Sequence, residues 1–246
     1  MSIEKLKYGN PPIQEAIFEV HFASAQPLAK ESLKLLQPVW QAAYPDQKLV
    51  EEKNVNIRLN PDGIKTENQI LGHRLVCRSS DGIRLVQLSG SFLAVNQLKP
   101  YLGWNESFRE TIIQRIAEFE KTLGSLPLRQ IALRYINRID IPEAPLIWEK
   151  WFQFSLPLPK LPGSKPPHFQ MQFNLQLEDD CQLNVNAVVL PPAKADTSSV
   201  LLDIAVIWTG APIELKKLPE YMEKVHNPHR LAFEGYLNDN SRSLFH

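Results

Sequence analysis

Past Pro11 and Pro12 the chain alternates, with Ala16, Phe18, Val20 and Phe22 on one side and Glu15, Ile17, Glu19 and His21 on the other. A two-residue period puts successive side chains on opposite faces of a pleated ribbon, so Ile13 to Phe22 is predicted as a half-buried strand. Lys30 to Tyr44 changes period. Leu33, Leu36 and Trp40 recur at helical spacing, with Pro38 placed to kink the helix and Pro45 to stop it. Three strands are predicted next, at Asn54 to Asn60, Gly72 to Ser79 and Ile83 to Val95. Pro61-Asp62-Gly63 supplies one turn, and Ser80-Asp81-Gly82 carries the Asp-Gly signal of a hairpin. Glu106 to Leu123 then presents Phe108, Ile112, Ile116, Phe119 and Leu123 as a helical stripe, ended by Gly124.

The order then begins again. Arg129 to Ile141 is predicted as a strand with Ile131, Leu133, Tyr135, Ile139 and Ile141 on one face. Pro142 to Pro167 holds Trp148, Trp151 and Phe152, a short helix followed by a proline-rich connection. His168 to Leu177 and Cys181 to Leu190 read as strands joined at Glu178-Asp179-Asp180, and Val200 to Trp208 as another after the loop from Pro191 to Ser198. Leu215 to Leu237 is predicted as a helix broken or bent near Pro228. Each half, residues 1–124 and 125–246, thus reads strand, helix, three strands, helix. The fold class predicted is α+β: two tandem βαβββα-like halves with antiparallel sheets and helices packed on one face, joined or abutting as one continuous domain.

Composition narrows the function. Lys plus Arg (27) balance Asp plus Glu (27), so no global field steers the chain to nucleic acid or an anionic membrane. Cys77 and Cys181 lie far apart in strand-like runs without a metal-ligand spacing, and are expected as buried free thiols in a reducing compartment. Met1 to Asn10 has no apolar run behind a basic start, and no stretch approaches the ~18 apolar residues of a membrane helix. The expected place is the cytoplasm. Signatures of common nucleotide hydrolases, dehydrogenases, α/β-hydrolases and zinc peptidases are missing, which argues against those classes without excluding an unfamiliar enzyme, and no cofactor is implied.

Two segments, PPIQEAIFE from Pro11 to Glu19 and LRYINRI from Leu133 to Ile139, together with the ending from His226 through Phe233 to Phe245, resemble a sporadically distributed family of uncharacterised prokaryotic proteins. The resemblance spans nearly the whole chain. It implies a prokaryotic cytoplasmic protein of scattered occurrence, as in phage-defence or toxin–antitoxin modules, and it carries over no catalytic residue.

Several constellations offer chemistry beside a plainer reading. His226 and His229 have the i, i+3 spacing of a metal pair, but Pro228 intervenes and no third ligand is evident; capping or solvent exposure is the plainer role. Glu15, Glu19 and His21 share a strand face, where an acid–base pair competes with structural ion pairing. Arg134 and Arg138, with Arg58, Arg74, Arg78 and Arg84, would make a basic sheet surface unless nearby carboxylates satisfy them. An ion pair is expected between Glu15 or Glu19 and Arg134 or Arg138, across the first strands of the two halves. Asn137 falls on an apolar face and is expected to pin backbone groups.

The most distinctive pattern is a row of amides. Gln170, Gln172, Asn174 and Gln176 alternate with Phe169, Met171, Phe173 and Leu175, and Gln182, Asn184 and Asn186 alternate with Leu183, Val185 and Ala187. Side chains two apart share a face, so paired strands would present neutral hydrogen-bonding groups to a partner. The function expected is a non-catalytic binding protein contacting a protein partner through Gln170, Gln172, Asn174, Gln182, Asn184, Asn186, Arg134 and Arg138. Nucleic acid fits less well, since phosphate needs surplus positive charge. The alternative is a small-molecule binder or unrecognised enzyme with a pocket walled by Tyr135, Asn137, Trp148, Trp151 and Trp208.

Overall fold

A computed structural model describes residues 7–24, 27–60, 63–154 and 170–246. The strands are β1 (Ile13–Phe22), β2 (Asp46–Asn60), β3 (Gly63–Arg78), β4 (Arg84–Ser89), β5 (Phe92–Leu98), β6 (Leu128–Ile141), β7 (Gln170–Gln176), β8 (Cys181–Leu190) and β9 (Ser198–Ile213). The α-helices are α1 (Lys30–Leu35), α2 (Gln37–Trp40), α3 (Arg109–Leu123), α4 (Trp148–Trp151), α5 (Leu218–Tyr236) and α6 (Asp239–Ser243); a π-helical turn, Trp104–Phe108, leads into α3 and a 3-10 turn, Leu215–Lys217, into α5. The nine strands form one sheet in the order β2-β3-β4-β5-β1-β6-β9-β8-β7. Every neighbouring pair is antiparallel. From β1 outward the order is β5, β4, β3, β2; from β6 outward it is β9, β8, β7. In each half the last strand therefore lies beside the first. The α+β class follows from this sheet and the helices beside it.

The alternation in β1 has the consequence expected of it. Ala16, Phe18, Val20 and Phe22 are buried, and the register opposes Phe18 to Leu133 of β6 and Val95 of β5. The same face continues outward through Val86 and Cys77 on one side and through Val206 and Leu183 on the other, as one apolar cluster shared by both halves. The helices lie on this face: Phe119 of α3 stacks on Phe22, and His229 of α5 lies against Tyr135 of β6. No described helix is long and apolar enough to cross a membrane. Cys77 and Cys181 are buried free thiols, and burial pushes the Cys77 thiol up to about 12.

Three sequence expectations need correction. The strand predicted over Ile83 to Val95 is two strands, because the chain reverses at Gly90-Ser91 and Ser89 Oγ accepts the Ser91 and Phe92 amides. Gly90 is required there: a Cβ would meet Pro27 at 2.6 Å. With β2 starting already at Asp46, the first half has four strands after its helices and the second has three. The helix predicted over Lys30 to Tyr44 is two short ones meeting at Leu36, and Pro38 lies at the start of α2, where its missing N–H is not needed. Finally, of the break or bend expected near Pro228, the break does not occur: α5 runs through it continuously. Pro228 leaves the carbonyl of Lys224 without its helical donor, and the Cys181 thiol points to that oxygen at 3.9 Å. His168, Phe169, the Pro61-Asp62 turn and the proline-rich connection lie outside the described residues, as does the Arg58 side chain.

Candidate functional site

Two surfaces carry polar groups beyond what packing requires: the sheet face turned away from α3 and α5, and a cleft on the helical side. On the first, the register aligns Asn174, Asn184, Ala205, Arg134 and Ile17 across five strands, and beside them Gln172, Asn186, Asp203, Ile136 and Glu15. The amides of β7 and β8 thus share one face. Gln170, Gln172 and Asn174 are exposed and Gln182, Asn184 and Asn186 half-buried, because β7 lies at the sheet edge and β8 inside it. Gln170 donates to Asn186 at 3.2 Å, while the buried Asn184 Oδ1 receives no hydrogen bond.

The charges at the middle of this face are paired. Arg134 grips Asp203 of β9 with two hydrogen bonds, at 2.8 and 2.6 Å. Arg138 binds Asp140 at 3.0 Å and Ser199 at 3.1 Å. Burial pushes the Asp140 carboxyl up, but hydrogen bonds from Ser199 and Arg138 outweigh it and hold the group below the usual range. Strands β1 and β6 do lie side by side, yet the glutamates of β1 do not pair with these arginines. Glu15 accepts from Asn96 at 2.7 Å, and Glu19 pairs with His21. Asn96 in turn accepts from Gln87, Gln87 from Arg74, and Arg74 also donates to Glu52. This chain of hydrogen bonds crosses β1, β5, β4, β3 and β2; Arg84 pairs with Asp81 at 3.8 Å, whereas Arg78 of β3 is exposed on the open face with no ion-pair partner among the described residues. Asp203 is the residue sequence reasoning missed. A lone carboxylate inside the apolar run of β9 requires a cation, and that was the available signal.

The Arg134–Asp203 pair is unequal: the arginine side chain is 47% exposed and the aspartate 11%. Arg134→Ala should therefore strand a nearly buried carboxylate and cost about 1–3 kcal/mol, whereas Asp203→Ala frees a half-exposed guanidinium and costs less. Urea unfolding of both single variants and the double variant measures this; equal costs for the two single variants would contradict it.

Between β6, α5, the N-terminal segment and the stretch from Tyr101 to Glu106 lies a cleft of about 400 Å³. Gly103 lets the chain enter it with φ 114°, a conformation that favours glycine. Tyr101 and Tyr135 meet through their hydroxyls at 2.8 Å, and burial raises both hydroxyl pKa values, so the pair stays protonated. Asn137, buried beside them, donates to the carbonyls of Leu202 at 2.9 Å and Tyr135 at 3.2 Å, as expected for a backbone-pinning amide. His229 contacts the Ile204 carbonyl at 3.0 Å, and burial lowers its pKa to about 3. Trp104 and His226 stack face to face at 4.3 Å along one wall. At the mouth, Lys7 pairs with Glu106 and Glu223 with Arg109, while Tyr8 and Arg242 both bind Glu234.

Of the walls expected for a pocket, Tyr135 and Asn137 line this cleft; Trp148, Trp151 and Trp208 do not. Trp148 stacks on Phe152, Trp151 donates to Glu143, and Trp208 packs against Tyr221. Tyr101 and Trp104 take their place, from a segment that reads as a plain connection in sequence. His226 and His229 lie together on α5, one in the Trp104 stack and the other bonded to backbone. Among the described residues no three His, Cys, Asp or Glu side chains are grouped to hold a metal ion. No family model matches the chain, and no curated protein shows significant similarity to it.

Proposed function

We propose that the chain is a non-catalytic binding protein whose open sheet face contacts a protein partner. The observation that carries this is the composition of that face. Half-buried apolar side chains, Ile17, Ala132, Ile136, Ala205 and Ile207, surround the Arg134–Asp203 pair at its centre, and no described helix covers them. Beside these residues lie the amides of β7 and β8 and the Arg138–Asp140 pair. Apolar area around an exposed arginine, flanked by hydrogen-bonding amides, has the composition of a protein interface, where arginine is enriched. Nucleic acid is the weaker fit, because the arginines Arg74, Arg134 and Arg138 already have carboxylate partners and would not neutralise phosphate.

The sheet edges support the same reading. The β2 edge carries Asp46, Lys48, Glu51, Glu52 and Lys53, charges of the kind that discourage strand addition; β7, Gln-Met-Gln-Phe-Asn-Leu-Gln, has no charge and no proline. The matching strand order on either side of β1 and β6 supports, in turn, a tandem repeat of two halves. The family resemblance adds a small prokaryotic module, such as phage defence or toxin–antitoxin, as the setting.

The test is a triple variant, Gln172→Ala, Asn174→Ala and Ile17→Ala, compared with the wild type for melting temperature and for proteins co-purified from the cells that make the chain. Co-purification is expected to fall at least ~10-fold, as for loss of interface anchors. The exposed amide changes should themselves add no more than ~0.5 kcal/mol each to any stability loss. Unchanged association removes this face from the binding reading.

A further inference from the structure

The cleft on the helical side is built around groups whose hydrogen-bonding capacity is only partly used. Asn137 is 1% exposed, and its Nδ2 donates to two backbone carbonyls. Carbonyls only accept, so the amide nitrogen must face them, the carboxamide is locked in orientation, and Oδ1 is left as an acceptor. Among the described residues nothing donates to that oxygen. His229, 2% exposed, is in the same condition. Its Nε2 faces the Ile204 carbonyl and so carries the proton, and burial keeps the ring neutral. Nδ1 then presents a lone pair, again with no described donor. The hydroxyls of Tyr101 and Tyr135 share one hydrogen bond, which uses one of their two protons and leaves the other to donate.

We propose that this cleft binds a small flat heterocycle that turns N–H donors toward Asn137 and His229, an aminopurine or aminopyrimidine base being the simplest such molecule. Two locked acceptors select a ligand edge that carries donors, and the remaining tyrosine proton answers an acceptor on the same edge, such as a ring nitrogen. The stacked Trp104 and His226 and the rings of Tyr8 and Phe233 line the cleft with aromatic surface suited to a planar body. A volume of about 400 Å³ lies in the range of small-molecule sites. A site whose polar groups are fixed in advance discriminates chiefly against ligands that leave them unpaired. The cleft shares none of the residues proposed for the partner face, so the two readings stand or fall separately.

The experiment titrates the full chain with adenine, cytosine, N6,N6-dimethyladenine and caffeine, following tryptophan fluorescence and melting temperature. Adenine or cytosine is expected to quench fluorescence and raise the melting temperature. Dimethylation, which removes the exocyclic donors, should weaken adenine binding at least ~10-fold, and caffeine, which has no N–H, should give no shift. Asn137→Leu removes the locked acceptor but endangers folding, so the ligand comparisons carry the decision. The proposal is overturned if neither base shifts either signal at millimolar concentration, or if caffeine or N6,N6-dimethyladenine binds as well as adenine.

Discussion

Phe18→Ala should cost about 3–5 kcal/mol, a drop in melting temperature of roughly 6–20 °C for a chain of this size. Phe18 is fully buried in β1, opposed by Val95 of β5 and Leu133 of β6. It therefore sits on the seam where the two halves of the sheet meet. Truncating it removes apolar contact from both halves and leaves a cavity that strands paired on either side cannot close. Because the buried apolar residues form one cluster, the loss should shift a single cooperative transition. Calorimetry distinguishes the cases: two transitions, with only one moved by the substitution, would mean that residues 1–124 and 125–246 fold as separate units.

Lowering the pH from 7 to 5 should remove about 2 kcal/mol of stability through His229 alone. The unfolded imidazole titrates near 6.5 and the folded one near 3, because burial, with a smaller contribution from His226, disfavours its charge; the Ile204 carbonyl acts in the opposite direction. Below pH 6.5 the unfolded chain thus takes up a proton that the native chain refuses. Stability present above pH 6.5 is lost progressively as the pH falls toward 3. His229→Gln, whose amide can still donate to the Ile204 carbonyl, should be flatter than the wild type between pH 7 and 5 by that amount. Equal pH slopes in urea denaturation would show that His229 is not held neutral.

Much of the architecture was legible because its signals are local. The alternation of Ala16, Phe18, Val20 and Phe22, the Asp-Gly turn before Ile83 and the stripe from Phe108 to Leu123 each encode an element within a few residues. What was not legible depends on partners distant in sequence. Ser89-Gly90-Ser91 is a weak turn signal between two apolar runs, and its meaning comes from Pro27 and Leu28 packing against Gly90. The choice of Asp203 over Glu15 or Glu19 for Arg134 depends on β9 lying on the other side of β6 from β1. Asn137 announced itself as an amide on an apolar face. Tyr101 did not, since a tyrosine after a strand is ordinary, and His229 stood out only for its spacing from His226, with capping or solvent exposure as the plainer role, whereas the fold buries it against the Ile204 carbonyl. The amide rows of β7 and β8 were visible because a two-residue period assigns faces without any knowledge of the partner strand.

The partner face can be tested most directly by placing a photo-crosslinking residue at Gln172, exposed on β7, and separately at Glu110, exposed on α3, in the cells that make the protein. A discrete protein adduct is predicted from Gln172 and none from Glu110. No adduct from Gln172, or the same adducts from both positions, would contradict the assignment of the open sheet face to a protein partner.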